Sequence, residues 1–233
     1  MKMNEIALVV PVYNPEPGLK GLCEALLPRF GRVIVVDDGS DEHIEDFAAL
    51  PAGVTLLRHE VNRGKGRAIK TAFEWLVANA PEVQGAVFAD GDGQHRPEDV
   101  VRVAARMLET GRATLGVRDF TRAAIPFRSR FGNVCTSFLV RLLFRLKIYD
   151  TQTGLRAIPS KLFAAMIATP GERYEYEMRL FGLLRDHREP LEQIPIETIY
   201  IDSNRASHFR PFIDSVIIYR SLFAAAMWRR SGG

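Results

Sequence analysis

The chain reads as an α/β protein built on a mostly parallel sheet flanked by helices. Three observations predict this. Four apolar runs lack the polar alternation of a half-solvated strand, so each reads as a strand buried on both faces. Helical patterns separate the runs, which is the order of a crossover-connected sheet. Each run stops in acids, glycines or other turn residues.

The first strand is Ile6 to Tyr13, broken by Asn14-Pro-Glu-Pro-Gly18, and Leu19 to Phe30 then has helical spacing. Arg32 to Val36 is the second strand and ends in Asp37-Asp38-Gly39-Ser40, with a helical pattern from Glu42 to Leu50. Val54 to Leu57 is the third, followed by Asn62-Arg-Gly-Lys-Gly66 and a helix over Ala68 to Asn79. Gly85 to Ala89 is the fourth and ends in Asp90-Gly-Asp-Gly-Gln-His95, before a helix over Pro97 to Thr110. Ala113 to Val117 reads as a further strand, ending at Arg118. Ligands of such sheets bind at the carboxyl ends of the strands. Tyr13, Asp38, Gly64, Lys65, Asp90 and Asp92 all follow strand ends, so one edge collects acids, glycines and a lysine.

Asp90 and Asp92 stand one residue apart on a glycine-permitted turn. Two such carboxylates suit a hard divalent cation, Mg²⁺ or Mn²⁺, which takes oxygen ligands and shares substrate phosphates. A bare Asp-x-Asp is more often a solvated turn; the surrounding motifs change that balance. Pro11-Val-Tyr-Asn14, Val35-Val-Asp-Asp-Gly-Ser40, Asn62-x-Gly-Lys-Gly66 and Asp90-x-Asp-Gly-Gln94 occur in the order seen in family 2 glycosyltransferases of the GT-A fold. With Asp150-Thr-Gln-Thr-Gly-Leu-Arg156, the chain resembles the dolichyl- or polyprenyl-phosphate sugar transferase branch, from about residue 5 to about residue 205. One departure is that Pro15 follows Tyr-Asn where the family often has Glu, and Glu16 comes one place later.

The resemblance implies a metal-dependent, inverting transfer of sugar from a nucleoside diphosphate sugar. It makes Asp92 the principal metal ligand, with Asp90 and Gln94 assisting, and turns Asp90 toward the ribose or sugar. Pro11, Tyr13, Asp38, Gly64, Lys65, Asp90 and Gly91 form the expected nucleotide-sugar site. Asp38 is favoured over Asp37 for the base or ribose, although either acid could be a turn residue. Gly64 and Gly66 permit close backbone approach, with Lys65 or Arg67 toward phosphate.

A lipid phosphate acceptor needs cations and, being already ionised, no general base. Arg118, Arg128 and Arg130 are the expected acceptor ligands. A saccharide hydroxyl acceptor is the alternative, and it would need a base, with Glu175 as the leading candidate. Glu175 or Glu177 could instead pair with Arg156 or Arg173; structural ion pairing is the preferred reading for Glu177. Arg156 is open between loop anchor and diphosphate ligand. A nucleotidyltransferase or a non-catalytic nucleotide-binding module are alternatives from other classes. The first strand lacks the following glycine-rich basic loop of the former, and it also lacks the Gly-x-Gly-x-x-Gly of a dinucleotide fold.

At 233 residues and net charge +3, the composition is that of an ordinary globular chain. Residues 1–205 are expected to form the transferase domain, and 206–233 a C-terminal amphipathic helical segment. Cys23 and Cys135 have neither disulfide-framework nor zinc spacing, as in a reducing compartment. No signal peptide and no spanning segment is expected, and no nucleic-acid-binding motif is present, so nucleic acid is not an expected partner. Residues 118–147 carry Arg118, Arg122, Arg128, Arg130, Arg141, Arg145 and Lys147 against Asp119 alone. From Phe131 to Leu146 the apolar residues have helical spacing, which fits a core-facing helix with a basic solvated side or a helix at a membrane interface. Phe209 to Trp228 is a second amphipathic stretch, suited to a membrane surface or an oligomer interface. The expected location is cytoplasmic, on the inner face of a membrane, with a homo-oligomer or an integral-membrane partner as further possibilities.

Overall fold

The computed structural model describes residues 3–118, 127–173, 175–197 and 220, with the side chains of 127–132 excepted. Seven strands form one sheet: β1 (Met3–Val12), β2 (Phe30–Asp37), β3 (Val54–Arg58), β4 (Gly85–Phe88), β5 (Ala113–Arg118), β6 (Arg156–Pro159) and β7 (Leu191–Ile196). Their spatial order is β3-β2-β1-β4-β6-β5-β7. Every neighbouring pair is parallel except those made by β6, which runs antiparallel between β4 and β5. The sheet is thus mostly parallel, as the sequence predicts. Its β4 and β5 are not neighbours, because the unpredicted β6 separates them.

The unbroken apolar runs are explained by two helical layers. From β1, β2 and β4, the residues Ile6, Leu8, Val10, Val33, Val35 and Val87 face α1 (Gly18–Leu26) and α3 (Pro97–Thr110). The alternate residues Ala7, Val9, Ile34, Val36, Ala86 and Phe88 face α2 (Lys65–Asn79), α5 (Phe163–Ala168) and α6 (Glu175–Asp186). Period-two alternation along a strand sends neighbours to opposite faces, so a strand covered twice is apolar throughout. Phe73 of α2 packs edge-on against Phe88 and at a tilt against Phe163, with centroids 5.1 and 4.6 Å away. The start of α3 carries Pro97, Glu98 and Asp99, and Gly111 closes it at φ 63.

Three predicted boundaries are corrected. The helical pattern read from Glu42 to Leu50 is a 3₁₀ helix over Ile44–Ala49. α1 ends at Leu26, since Phe30 already pairs with Met3 in the sheet. The basic amphipathic helix, α4, runs over Phe127–Phe144, so Leu146 lies beyond its end. The expected segment 206–233 lies outside the described residues apart from Arg220. Both cysteines are free; Cys23 is buried and Cys135 half-buried.

Candidate active site

The site is assembled where the loops after β1, β2, β3 and β4 meet α6 and the loop before β6. Asp37 and Asp38 are both buried. Asp37 accepts from Ser40 N–H at 2.8 Å and from Arg58 Nε at 2.7 Å. Asp38 accepts from the N–H of Arg63 at 3.0 Å and of Gly64 at 2.7 Å, and its Oδ1 lies 2.7 Å from His59 Nδ1. These bonds fix the loop that leads into α2. Gly64 has φ 102, and a Cβ there would stand 2.5 Å from the Glu172 carbonyl oxygen. Left-handed backbone in so close a place requires glycine, and it launches Lys65 as the first residue of the helix. On the other side of Asp37, Asn14 joins the β1 and β2 loops: its N–H donates to Ser40 Oγ and its Oδ1 accepts from Asp41 N–H. Pro11 is buried beside Val36 in the sheet, while Tyr13 is exposed with its hydroxyl 3.2 Å from Asp41 Oδ1.

Lys65 bridges two acids from distant parts of the chain. Its Nζ is 2.7 Å from Asp90 Oδ1 and 2.9 Å from Glu177 Oε1 of α6. His95 Nε2 lies 3.7 Å from Asp90 Oδ2. Burial alone would favour a neutral lysine, but the two carboxylates overcome it and hold the ammonium charged well above the usual lysine range. For Asp90, burial is likewise outweighed, by Lys65 and His95, and its carboxyl is held well below the usual carboxylate range. Asp92 goes the other way. Burial and the neighbouring Asp90 charge raise it, and the hydrogen bond from Gln94 N–H, 3.0 Å long, offsets this only in part. Gly91 sits between the two acids, where a Cβ would be 3.0 Å from Val12 Cγ2.

The Asp150-Thr-Gln-Thr-Gly-Leu-Arg156 segment shapes the same place from below. A Cβ on Gly154 would fall 2.0 Å from Asp90 Oδ2. Gly154→Ala should therefore push the Asp90 carboxylate off Lys65 and lower turnover about tenfold, an overpacking cost of ~1–3 kcal/mol. Turnover assayed beside a thermal melt checks it. Arg156 is buried and donates to three backbone carbonyls, those of Thr153, Glu177 and Thr151, at 2.8, 2.8 and 3.2 Å. These are the contacts of a loop anchor. Asp150 is fully buried and takes Arg118 in a two-pronged pair, Nε at 2.7 Å and Nη2 at 3.0 Å. Asn133 of α4 holds the same loop, donating to the Tyr149 carbonyl at 2.7 Å and accepting from Thr151 N–H at 3.0 Å.

Of the predicted residues, the fold gathers Lys65, Asp90, Gly91, Asp92 and Gln94 around one loop, and ties Asp38 to it through Gly64. Arg118 reaches it through the 150–154 loop. Arg128 and Arg130 belong to α4, but their side chains lie outside the described residues. Glu175 turns to its own backbone, accepting from the N–H groups of Glu172 and Arg173 at 3.1 and 3.2 Å. The expected ion pairing of Glu177 exists, with Lys65 rather than with Arg156 or Arg173. His95, Asp150, Gly154 and the Lys65–Glu177 contact carry roles that sequence reasoning did not assign. The first three sit inside quoted motifs; nothing local marks the fourth.

The residues fit a shared rather than a caged cation. Asp90 and Asp92 offer hard oxygens crowded enough to repel one another. Among the described residues, no cluster of three or more His, Cys, Asp or Glu could enclose a metal by itself. Magnesium-type sites of this composition complete their shell with water and substrate phosphate.

The profile of Glycosyl transferase family 2 matches residues 7–166. The uncharacterized protein MJ1222 of Methanocaldococcus jannaschii is 31% identical over 205 residues, 85% of this chain and 83% of that protein. The UDP-N-acetylglucosamine–dolichyl-phosphate N-acetylglucosaminyltransferase of Methanococcus voltae is 27% identical over 241 residues, 93% of this chain and 94% of that enzyme. Among solved structures, mannosyl-3-phosphoglycerate synthase from Rubrobacter xylanophilus superposes with a TM-score of 0.71 at 16% identity, covering 95% of this chain and 72% of that one. At that identity the likeness is one of fold.

Proposed function

The chain belongs to glycosyl transferase family 2, and from that premise we propose that it moves a sugar from a nucleoside diphosphate sugar onto a polyprenyl or dolichyl phosphate. The family assignment makes it a glycosyltransferase with the GT-A fold; the acceptor and the donor chemistry are our reading. One observation carries the acceptor. A forked arginine, Arg118, is held by buried Asp150 on the loop that reaches Asp90, while the candidate base Glu175 is engaged with its own backbone. An ionised phosphate wants the first and has no use for the second. The dolichyl-phosphate specificity in the name of the Methanococcus voltae relative points the same way.

In this reading the donor lies over the carboxyl ends of β1, β2 and β4, with its base and ribose toward Tyr13. Buried Asp38, expected from the sequence as a direct contact, instead fixes the loop beneath, because its oxygens are taken by Arg63 N–H, Gly64 N–H and His59. Asp92, aided by Asp90 and Gln94, would hold Mg²⁺ or Mn²⁺. Such an ion supplies a Lewis acid for the charge that develops on the departing diphosphate. Lys65 adds a fixed positive charge at the same place, and Glu177 keeps its ammonium pointed there. Arg118, with Arg128 and Arg130, orients the lipid phosphate. One of its oxygens forms the new bond to the anomeric carbon, and the old bond's electron pair leaves with the nucleoside diphosphate. Attack opposite the leaving group inverts the anomeric centre. We place the enzyme at the cytoplasmic surface of a membrane, where a lipid phosphate acceptor would lie; no helix among the described residues is long and apolar enough to cross a membrane.

The test is an acceptor comparison. The protein is incubated with UDP- and GDP-sugars, Mg²⁺ or Mn²⁺, and short polyprenyl phosphate, polyprenol or oligosaccharide. Only the lipid phosphate should be glycosylated. Transfer to oligosaccharide in preference would refute the reading.

A further inference from the structure

α4 is apolar on two faces, and the described residues cover only one. Leu139, Val140, Leu143 and Phe144 pack with Leu115 and Val117 of β5 and with Met178 and Phe181 of α6. Val134, Phe138 and Leu142 follow one another at four-residue steps, which aligns them along a single line of the helix. They are 58%, 64% and 66% exposed. Three large apolar side chains in a row on a surface call for a partner.

The charges around this stripe indicate which partner. Arg141, Arg145 and Lys147 are exposed beside it, and between residues 127 and 149 the sequence has no Asp or Glu. Tyr149 is exposed at the end of the stripe, with Lys147 Nζ 5.2 Å from its ring centre. A second copy of the chain docked through the same patch would set these cations against themselves with no acid to pair. An anionic lipid surface has the complementary charge and accepts the apolar residues below it. The position is also apt. Asn133, on the inner side of α4, holds the Tyr149–Thr151 loop, and Asp150 in that loop holds Arg118.

We propose that the outer face of α4 is the surface by which the enzyme seats on an anionic bilayer, with Val134, Phe138 and Leu142 at the acyl boundary and Arg141, Arg145 and Lys147 among the head groups. This rests on the lipid-phosphate reading above and gives it a geometry: the docked face lies one short loop from the arginine that meets the acceptor phosphate.

The experiment is flotation of the full chain with phosphatidylcholine vesicles, with and without phosphatidylglycerol. It uses two double variants, F138S with L142S and R141E with R145E. Each variant is also assayed on a short, water-soluble polyprenyl phosphate and weighed by light scattering. Both pairs should lower retention on anionic vesicles by about tenfold, which is a change of only ~1.4 kcal/mol. High salt should erase the difference made by the charge pair but not that made by the apolar pair. Turnover on the short acceptor should stay within about twofold of the wild type, a fraction of 1 kcal/mol. If the serine pair disturbs folding in a melt, V134S alone takes its place. Retention unchanged in both pairs would overturn the proposal. So would a dimer that the serine pair splits without loss of retention. A wild-type protein that floats through this face yet glycosylates no lipid phosphate would uphold the docking surface and overturn the acceptor assignment alone.

Discussion

Asp92→Asn should lower turnover by about a hundredfold or more, as removal of one electrostatic stabiliser of the transition state does elsewhere, and leave the fold nearly untouched. The carboxylate of Asp92 is raised by burial and by the Asp90 charge beside it. Its presence therefore costs stability in the absence of a cation, and an amide of the same shape relieves that repulsion. The expected signature is an enzyme that melts at the wild-type temperature or slightly higher, binds Mn²⁺ more weakly, and turns over very slowly at any metal concentration. Full activity in Asp92→Asn would remove the acid from the metal role.

The second large effect separates the two acceptor classes. Arg118→Lys should cost roughly ten- to a hundredfold in kcat/KM, since a charge-assisted hydrogen bond contributes about 1.5–3 kcal/mol. Lysine is the informative replacement. Alanine would strand the fully buried Asp150 without a counter-charge, and losing one partner of a buried pair costs ~3–5 kcal/mol of stability. Lysine keeps a cation against Asp150 but loses the two-pronged pair that fixes the orientation of the guanidinium. Glu175→Gln should be mild, because the amide oxygen can still accept the Glu172 and Arg173 N–H groups that Glu175 now caps. A hydroxyl acceptor reverses the order. A dead Glu175→Gln beside a nearly normal Arg118→Lys would transfer the assignment to a saccharide acceptor.

The sheet was legible because burial on both faces leaves a strong mark. Ile6 to Val12, Val33 to Val36 and Gly85 to Phe88 have no polar break, and only strands covered twice can be so apolar. β6 was not legible. Arg156–Pro159 is four residues long, starts with a buried arginine and ends with proline, so no period can be read from it. The helical pattern from Glu42 to Leu50 does not distinguish 3₁₀ from α, because so short a segment has the same apolar spacing in either form; it is a 3₁₀ helix over Ile44–Ala49. In the site, residues that end strands were visible and their partners were not. Asp90 could be chosen by its motif, but the pairing of Lys65 with Glu177 depends on how α6 returns across the sheet. Nothing in the sequence sets Gly154 apart within its motif, and the closeness of Asp90 explains it. For α4, the sequence offered one set of apolar residues with helical spacing; packing divides them into a covered face and an exposed one.

The central claim is that the sugar alone, and not a sugar phosphate, passes from nucleotide to lipid phosphate. Mass analysis of the lipid product made from a polyprenyl phosphate labelled with ¹⁸O in its terminal oxygens tests this most directly. The account predicts a lipid heavier by one glycosyl residue with all of the label retained, and an unlabelled nucleoside diphosphate released in equal amount. A lipid carrying an added sugar phosphate, with nucleoside monophosphate as the by-product, would contradict it.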